Sequence, residues 1–129
     1  MYRGSCLCGA VAFEIEGALG EVDGCHCRQC RRWTGHYLAS TDVKRTALRV
    51  QGEKSLKWYR SSEKVRRGFC IECGSSLFFD PLDRNKHDWI GISMGAIDKP
   101  THASMALHIF VAEKGDYYEL ADGLPQNEH

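Results

Sequence analysis

Apolar and polar residues alternate in short bursts along this chain, and no burst lengthens into a helical period. Val11, Phe13 and Ile15 interleave with Ala12, Glu14 and Glu16, the pattern of a half-buried strand, and the stretch from Gly17 to Gly20 ends it. Residues 21–27 return as a second strand. Residues 28–33 leave room for one short helical turn before Gly35 stops it. Further strands are predicted over 37–43, 47–51 and, more weakly, 55–60, then at 64–69, 76–79, 89–97, 107–112 and 117–120. The stretch 80–88 around Pro81 reads as a polar loop, and the end from Gly123 as poorly ordered. The fold class this predicts is mostly β. It is a single domain over 1–129, ordered to about residue 125, built from short antiparallel sheets.

Composition narrows the function classes. A chain of 129 residues can bury roughly two thirds of its unfolded surface, enough for a true core. Its 17 basic residues are matched by 17 acidic ones, which speaks against a basic surface for nucleic acid. No apolar run approaches the eighteen or so residues needed to span a membrane, and Met1 leads into Gly4-Ser5-Cys6 without the pattern of a signal peptide. The expected location is the cytoplasm, where disulfides rarely persist. Seven cysteines also fit a disulfide framework poorly, being odd in number.

Those cysteines divide into four plus three. Cys6 and Cys8 near the start, with Cys70 and Cys73 in the middle, give two metal-knuckle spacings and the ligands of a closed four-sulfur zinc site, with Gly74 placed for the tight turn. Cys25, Cys27 and Cys30 lie within six residues. On an extended segment Cys25 and Cys27 point the same way, and Cys30 follows at knuckle spacing. Three readings stay open for this cluster. It could be a zinc site whose fourth position takes a substrate thiol or water, a site closed by His26, His36 or an acid elsewhere, or a Cys27–Cys30 redox pair. His26, between two cysteines that lean together, points away from them and is expected to pack or hydrogen-bond instead. Arg28, Arg31 and Arg32 are either solvated charge compensation or a fork for ligand carboxylates. Lys64, Arg66 and Arg67 read as an exposed strand face. His87, His102 and His108 read as structural, and no general base stands out beyond the nearby His26 and His36.

Three ordered motifs go further. Gly4-Ser5-Cys6-Leu7-Cys8-Gly9-Ala10-Val11, Cys25-His26-Cys27-Arg28-Gln29-Cys30-Arg31-Arg32 and Gly68-Phe69-Cys70-Ile71-Glu72-Cys73-Gly74-Ser75 resemble the glutathione-dependent formaldehyde-activating enzyme family, also called the centromere protein V/GFA domain. The resemblance continues through His108-Ile109-Phe110-Val111 to Asp122-Gly123-Leu124-Pro125. It implies a β-tent stapled by two zinc ions, the structural one on Cys6, Cys8, Cys70 and Cys73, the second on Cys25, Cys27 and Cys30. It also implies a carbon–sulfur lyase or carrier that joins glutathione, or another small thiol, to formaldehyde or a small aldehyde, giving S-hydroxymethylglutathione. On that expectation Cys25, Cys27 and Cys30 hold the catalytic zinc, and Arg28, Arg31 or Arg32 hold glutathione carboxylates. The alternative is a non-catalytic binding module with two structural zinc sites. A zinc-hydroxide hydrolase ranks last, because three thiolates donate too much charge to acidify bound water as three histidines do.

Overall fold

A computed structural model describes all residues from Met1 to His129. Its strands are β1 (Tyr2–Ser5), β2 (Ala12–Ile15), β3 (Val22–Cys25), β4 (Leu38–Lys44), β5 (Leu48–Gln51), β6 (Leu56–Arg60), β7 (Val65–Cys70), β8 (Ser76–Pro81), β9 (Trp89–Ser93) and β10 (Met105–Ile109). One helix, α1 (Arg28–Thr34), interrupts them, and short 3-10 turns fill several connections. The mostly β expectation holds. The strands form a three-stranded sheet ordered β1-β2-β5 and a seven-stranded sheet ordered β10-β3-β4-β9-β8-β7-β6. Every pairing is antiparallel except β10 against β3.

The two faces of the large sheet do different work. One packs on the small sheet, whose Val11, Phe13 and Ile15 are fully buried against Leu77, Phe78, Ile90 and Ile92. The Phe13 and Phe78 rings meet edge-on at 5.5 Å, an arrangement aromatic pairs favour. Gly4 in β1 has no side chain because a Cβ there would run into the Phe13 ring and the Ala96 carbonyl. The opposite face carries Asp23 and Cys25 of β3, Leu38, Ser40 and Asp42 of β4, Trp89 of β9, Phe79 of β8 and Arg67 of β7. The register puts them on one side: Asp23 opposes Ser40, Asp42 opposes Gly91, Gly91 opposes Phe79 and Phe79 opposes Arg67. That second face lines a cavity beside Cys25, Cys27 and Cys30.

Several segments depart from the sequence expectation. Asp80 and Pro81 complete β8 instead of opening a polar loop. Asp80 is buried because Arg45, Arg66 and Arg84 converge on its carboxylate, at 2.7 Å from Arg66 and 3.0 Å from Arg84. Of the three basic residues expected on an exposed face, Lys64 is exposed, Arg66 is half-buried over Trp58, and Arg67 is fully buried. The late strand ends at Ile109, since Phe110 adopts the left-handed region at φ 54 and a 3-10 turn follows. Residues 117–120 form no strand. The tail beyond Gly123 is not loose: Pro125 and Asn127 exchange backbone hydrogen bonds with His108, and Val111 donates to Asn127, so the tail covers the β10 edge.

Removing Asp80 would strand three guanidinium groups around a dry site. We expect Asp80→Ala to lower the unfolding free energy by about 3 kcal/mol. Arg84→Ala removes only the most exposed partner and should cost under about 1 kcal/mol. Urea denaturation of the metal-loaded protein compares the two.

Candidate metal centre and its pocket

The β1–β2 turn and the β7–β8 turn meet sulfur to sulfur. Cys6 Sγ lies 3.7 Å from Cys8 Sγ, and Cys8 Sγ lies 3.8 Å from Cys70 Sγ. With Cys73 the four sulfurs all fall within 4.8 Å of one another. Tetrahedral zinc with Zn–S near 2.3 Å calls for sulfurs roughly 3.8 Å apart, so the donor set fits a closed four-thiolate ion. Gly74, at φ 79, turns the chain so that its N–H reaches the Cys70 carbonyl at 2.7 Å. Leu7 N–H donates to Ser75 Oγ at 2.9 Å and ties the two turns together. The Ser75 hydroxyl also lies 3.2 Å from Cys73 Sγ and is the first cause that draws this thiol down to about 5.

The second cluster forms where β3 runs into α1. Cys25 ends the strand, and Cys27 caps the helix in extended conformation, its sulfur accepting from the Cys30 N–H at 3.4 Å. Cys30 lies in the first turn, buried. Gly35, at φ 90, closes the helix by donating to the Arg31 carbonyl. The three sulfurs also lie within 4.8 Å of one another. Hydrogen bonding from Cys25, then from Cys30, holds the Cys27 thiol far below its ordinary range, with the Arg67 charge adding to it; the same contacts push Cys25 up. Three sulfurs converging at this distance are a donor set suited to a soft cation. Both cysteine clusters can hold metal ions.

His26 does point away from its neighbours, as the alternation requires. Its Nε2 lies 2.9 Å from His108 Nδ1 and its Nδ1 lies 2.6 Å from the Tyr118 hydroxyl. His108 Nε2 continues the chain to Asp122 at 2.7 Å. With both rings neutral, Tyr118 donates to His26, His26 to His108, and His108 to the Asp122 carboxylate. Burial, then the His108 charge, lowers His26 to about 4. Both its ring nitrogens are occupied, so it is no ligand. His36 is likewise turned aside, its Nδ1 at 2.6 Å from the Tyr117 hydroxyl. Tyr117 and Tyr118, expected in a strand, serve these histidines from a loop.

Beside the three sulfurs opens a cavity of about 210 Å³. Asp23, Ser40 and Asp42 line one part of it, Phe79 and Trp89 (stacked at 6.2 Å) another, with Val65, Ile109 and Phe110 completing the apolar wall. Asp42 is pushed up to about 6 by burial and then by Asp23, which burial itself raises. A second cleft of about 320 Å³ adjoins it, lined by Arg28, Gln29, Arg32, Trp33, Tyr59, Ser61 and Arg67. Arg28 and Arg32 thus share a cleft. Arg31 does not join them: its Nε donates to the Glu113 carbonyl at 2.9 Å. Gln29 and Arg67 line both cavities.

Sequence reading missed Asp23, Ser40, Asp42 and Arg67. The signal for Asp23 was its place two residues before Cys25, which puts it on the same face. Asp42 was a carboxylate inside a strand, where acids are depleted. Arg67 gave no sign that separated it from Lys64 and Arg66.

The profile of the glutathione-dependent formaldehyde-activating enzyme family matches residues 1–113, and the chain belongs to that family. It is also similar to an uncharacterized lyase of Schizosaccharomyces pombe, 30% identical over 79 residues. That alignment covers 60% of this chain and 56% of the relative, little more than half of its length.

Two outcomes follow from the geometry. Cys27→Ser should bind one metal ion fewer per chain while the far-UV spectrum is kept, whereas Cys70→Ser should lose cooperative folding as well; metal analysis and circular dichroism distinguish them. The fold also resists protonating His26, which the unfolded chain protonates near 6.5. Its contribution to stability is therefore complete above that pH and is lost as pH falls toward 4. His26→Asn should flatten that part of the stability–pH curve relative to the native protein.

Proposed function

We propose that this member of the family is a zinc-dependent carbon–sulfur lyase-type enzyme or carrier. It joins a small thiol, glutathione foremost, to formaldehyde or a related small aldehyde. The observation that supports this most is the placing of three convergent thiols at the edge of a cavity while both neighbouring histidines are engaged elsewhere. Such a centre has a coordination position to offer a ligand from outside. A zinc ion on Cys25, Cys27 and Cys30 would supply the charge that keeps an incoming thiol in its thiolate form. A second zinc on Cys6, Cys8, Cys70 and Cys73 would be structural.

The chain's own residues do the rest. Phe79, Trp89, Ile109 and Phe110 keep water from the reacting carbon. The thiol gives up its proton, a sulfur electron pair forms the S–C bond, and the carbonyl π pair moves to oxygen, where the proton is returned. Asp23, on the Cys25 side of the cavity with its carboxyl raised by burial, is suited to hold that proton between the two events. Arg28 and Arg32 fit the carboxylates of glutathione, since a guanidinium fork matches a carboxylate.

The test is formation of S-hydroxymethylglutathione, followed by NMR above the uncatalysed rate, together with calorimetric titration of glutathione. Arg28→Gln and Arg32→Gln should each weaken glutathione about tenfold at unchanged metal content, and Arg31→Gln should leave it alone. A metal centre indifferent to glutathione and no rate above background would sink the proposal. The chain would then be a zinc-stabilised binding module without catalysis.

A further inference from the structure

Arginine is seldom buried without an anion beside it, because a lone guanidinium cannot give up its charge and loses its hydration on burial. Arg67 is only 3% exposed. Its Nε donates to Ser61 Oγ at 3.1 Å, its Nη2 to Gln29 Oε1 at 3.4 Å and its Nη1 to Cys30 Sγ at 3.4 Å. The guanidinium also lies 5.2 Å from the Trp33 ring centre and 5.0 Å from that of Phe79. Serine and glutamine are neutral, and aromatic faces offer only partial charge. The fold's ion pairs are made by Arg3, Arg45, Arg66, Arg84 and His108. Among the contacts of Arg67, Cys30 alone can carry a full negative charge.

The charge count at the centre then takes a definite form. Three thiolates around a divalent ion leave one negative charge, and the buried arginine cancels it. A fourth thiolate arriving from outside therefore brings the whole group to one negative charge instead of two. The Nη1–H···S bond also draws density from Cys30, leaving the ion more receptive to another soft donor. Arg67 lines both the cavity beside the sulfurs and the basic cleft next to it.

We propose that Arg67 sets the preference of the Cys25/Cys27/Cys30 centre for an anionic sulfur over a neutral ligand in the open position, acting as a positioning and charge-balancing residue through Cys30. This rests on the reading above, that the centre accepts a thiol. The ligand class it selects is a thiolate of any size the cavity admits, whether or not it carries carboxylates.

The test uses the full chain loaded with cobalt(II), whose visible bands report sulfur ligation. The native protein, Arg67→Gln and Arg67→Lys are titrated at fixed pH and salt with 2-mercaptoethanol, which has no carboxylate for Arg28 or Arg32, and separately with imidazole as a neutral ligand. Arg67→Gln keeps hydrogen-bonding capacity and loses the charge; Arg67→Lys keeps the charge. The expected result is thiol binding weakened about tenfold in Arg67→Gln, largely restored in Arg67→Lys, and imidazole binding changed less than twofold in both. Equal thiol affinity in Arg67→Gln and the native protein overturns the role of Arg67 and leaves the thiol reading standing. Thiol and imidazole weakened together in both variants also overturns it, as a merely structural defect. No thiol-induced band change in the native protein overturns both. Where Arg67→Gln takes up no cobalt, Arg67→Met replaces it as the uncharged variant: thiol affinity about tenfold weaker with imidazole unchanged supports the proposal, and native thiol affinity overturns it.

Discussion

Four cysteine sulfurs converge in this chain from turns more than sixty residues apart, close enough together for one metal ion to be held by all four. That convergence ties the two sheets together at one end. Cys6 and Cys8 sit at the turn between β1 and β2, Cys70 and Cys73 at the turn between β7 and β8. With the turns side by side, the small sheet lies on the large one and Phe13 packs onto Phe78. A core of eleven buried residues is modest for the chain length, and the sulfur-linked turns supply the cross-connection that burial alone would leave loose.

The strict two-fold alternation of strands then separates support from chemistry. At Cys25-His26-Cys27 the odd positions turn to the cavity and the even one to the opposite side. There the chain Tyr118–His26–His108–Asp122, its two histidines buried, holds the segment by hydrogen bonds. One tripeptide thus serves both sides of the protein, the thiols facing the cavity and the imidazole fixing the backbone that presents them. A similar division runs through β7, where Gly68 faces the core beneath Trp58 while Arg67 faces the cysteines.

Much of this was readable before any coordinates. Strand alternation located β2, the spacing of the cysteines located both clusters, and Gly35 ended α1 where a glycine at φ 90 was needed. What stayed hidden depended on partners distant in sequence. Asp80 reads as a loop residue because nothing near it announces that Arg45 will arrive from β4's end to neutralise it. Arg67 looks like Lys64 until Cys30 is set beside it. Tyr117 and Tyr118 alternate like strand residues, yet their hydroxyls are claimed by His36 and His26, contacts that no local pattern encodes. Charge and hydrogen-bond partners across the chain, more than hydrophobic pattern, are where sequence reading gave out.

The one parallel pairing in the fold has a consequence for how the protein is made. β3, which carries Cys25, lies between β4 and β10, and β10 comes from residues 105–109. During synthesis from the N-terminus the strand remains an open edge until most of the chain has emerged. Throughout that interval Cys25, Cys27 and Cys30 are already outside the ribosome, beside a strand that lacks its outer neighbour. The nascent chain therefore meets the cell's metals and oxidants before Ile109 and Phe110 have arrived to complete the wall beside these cysteines.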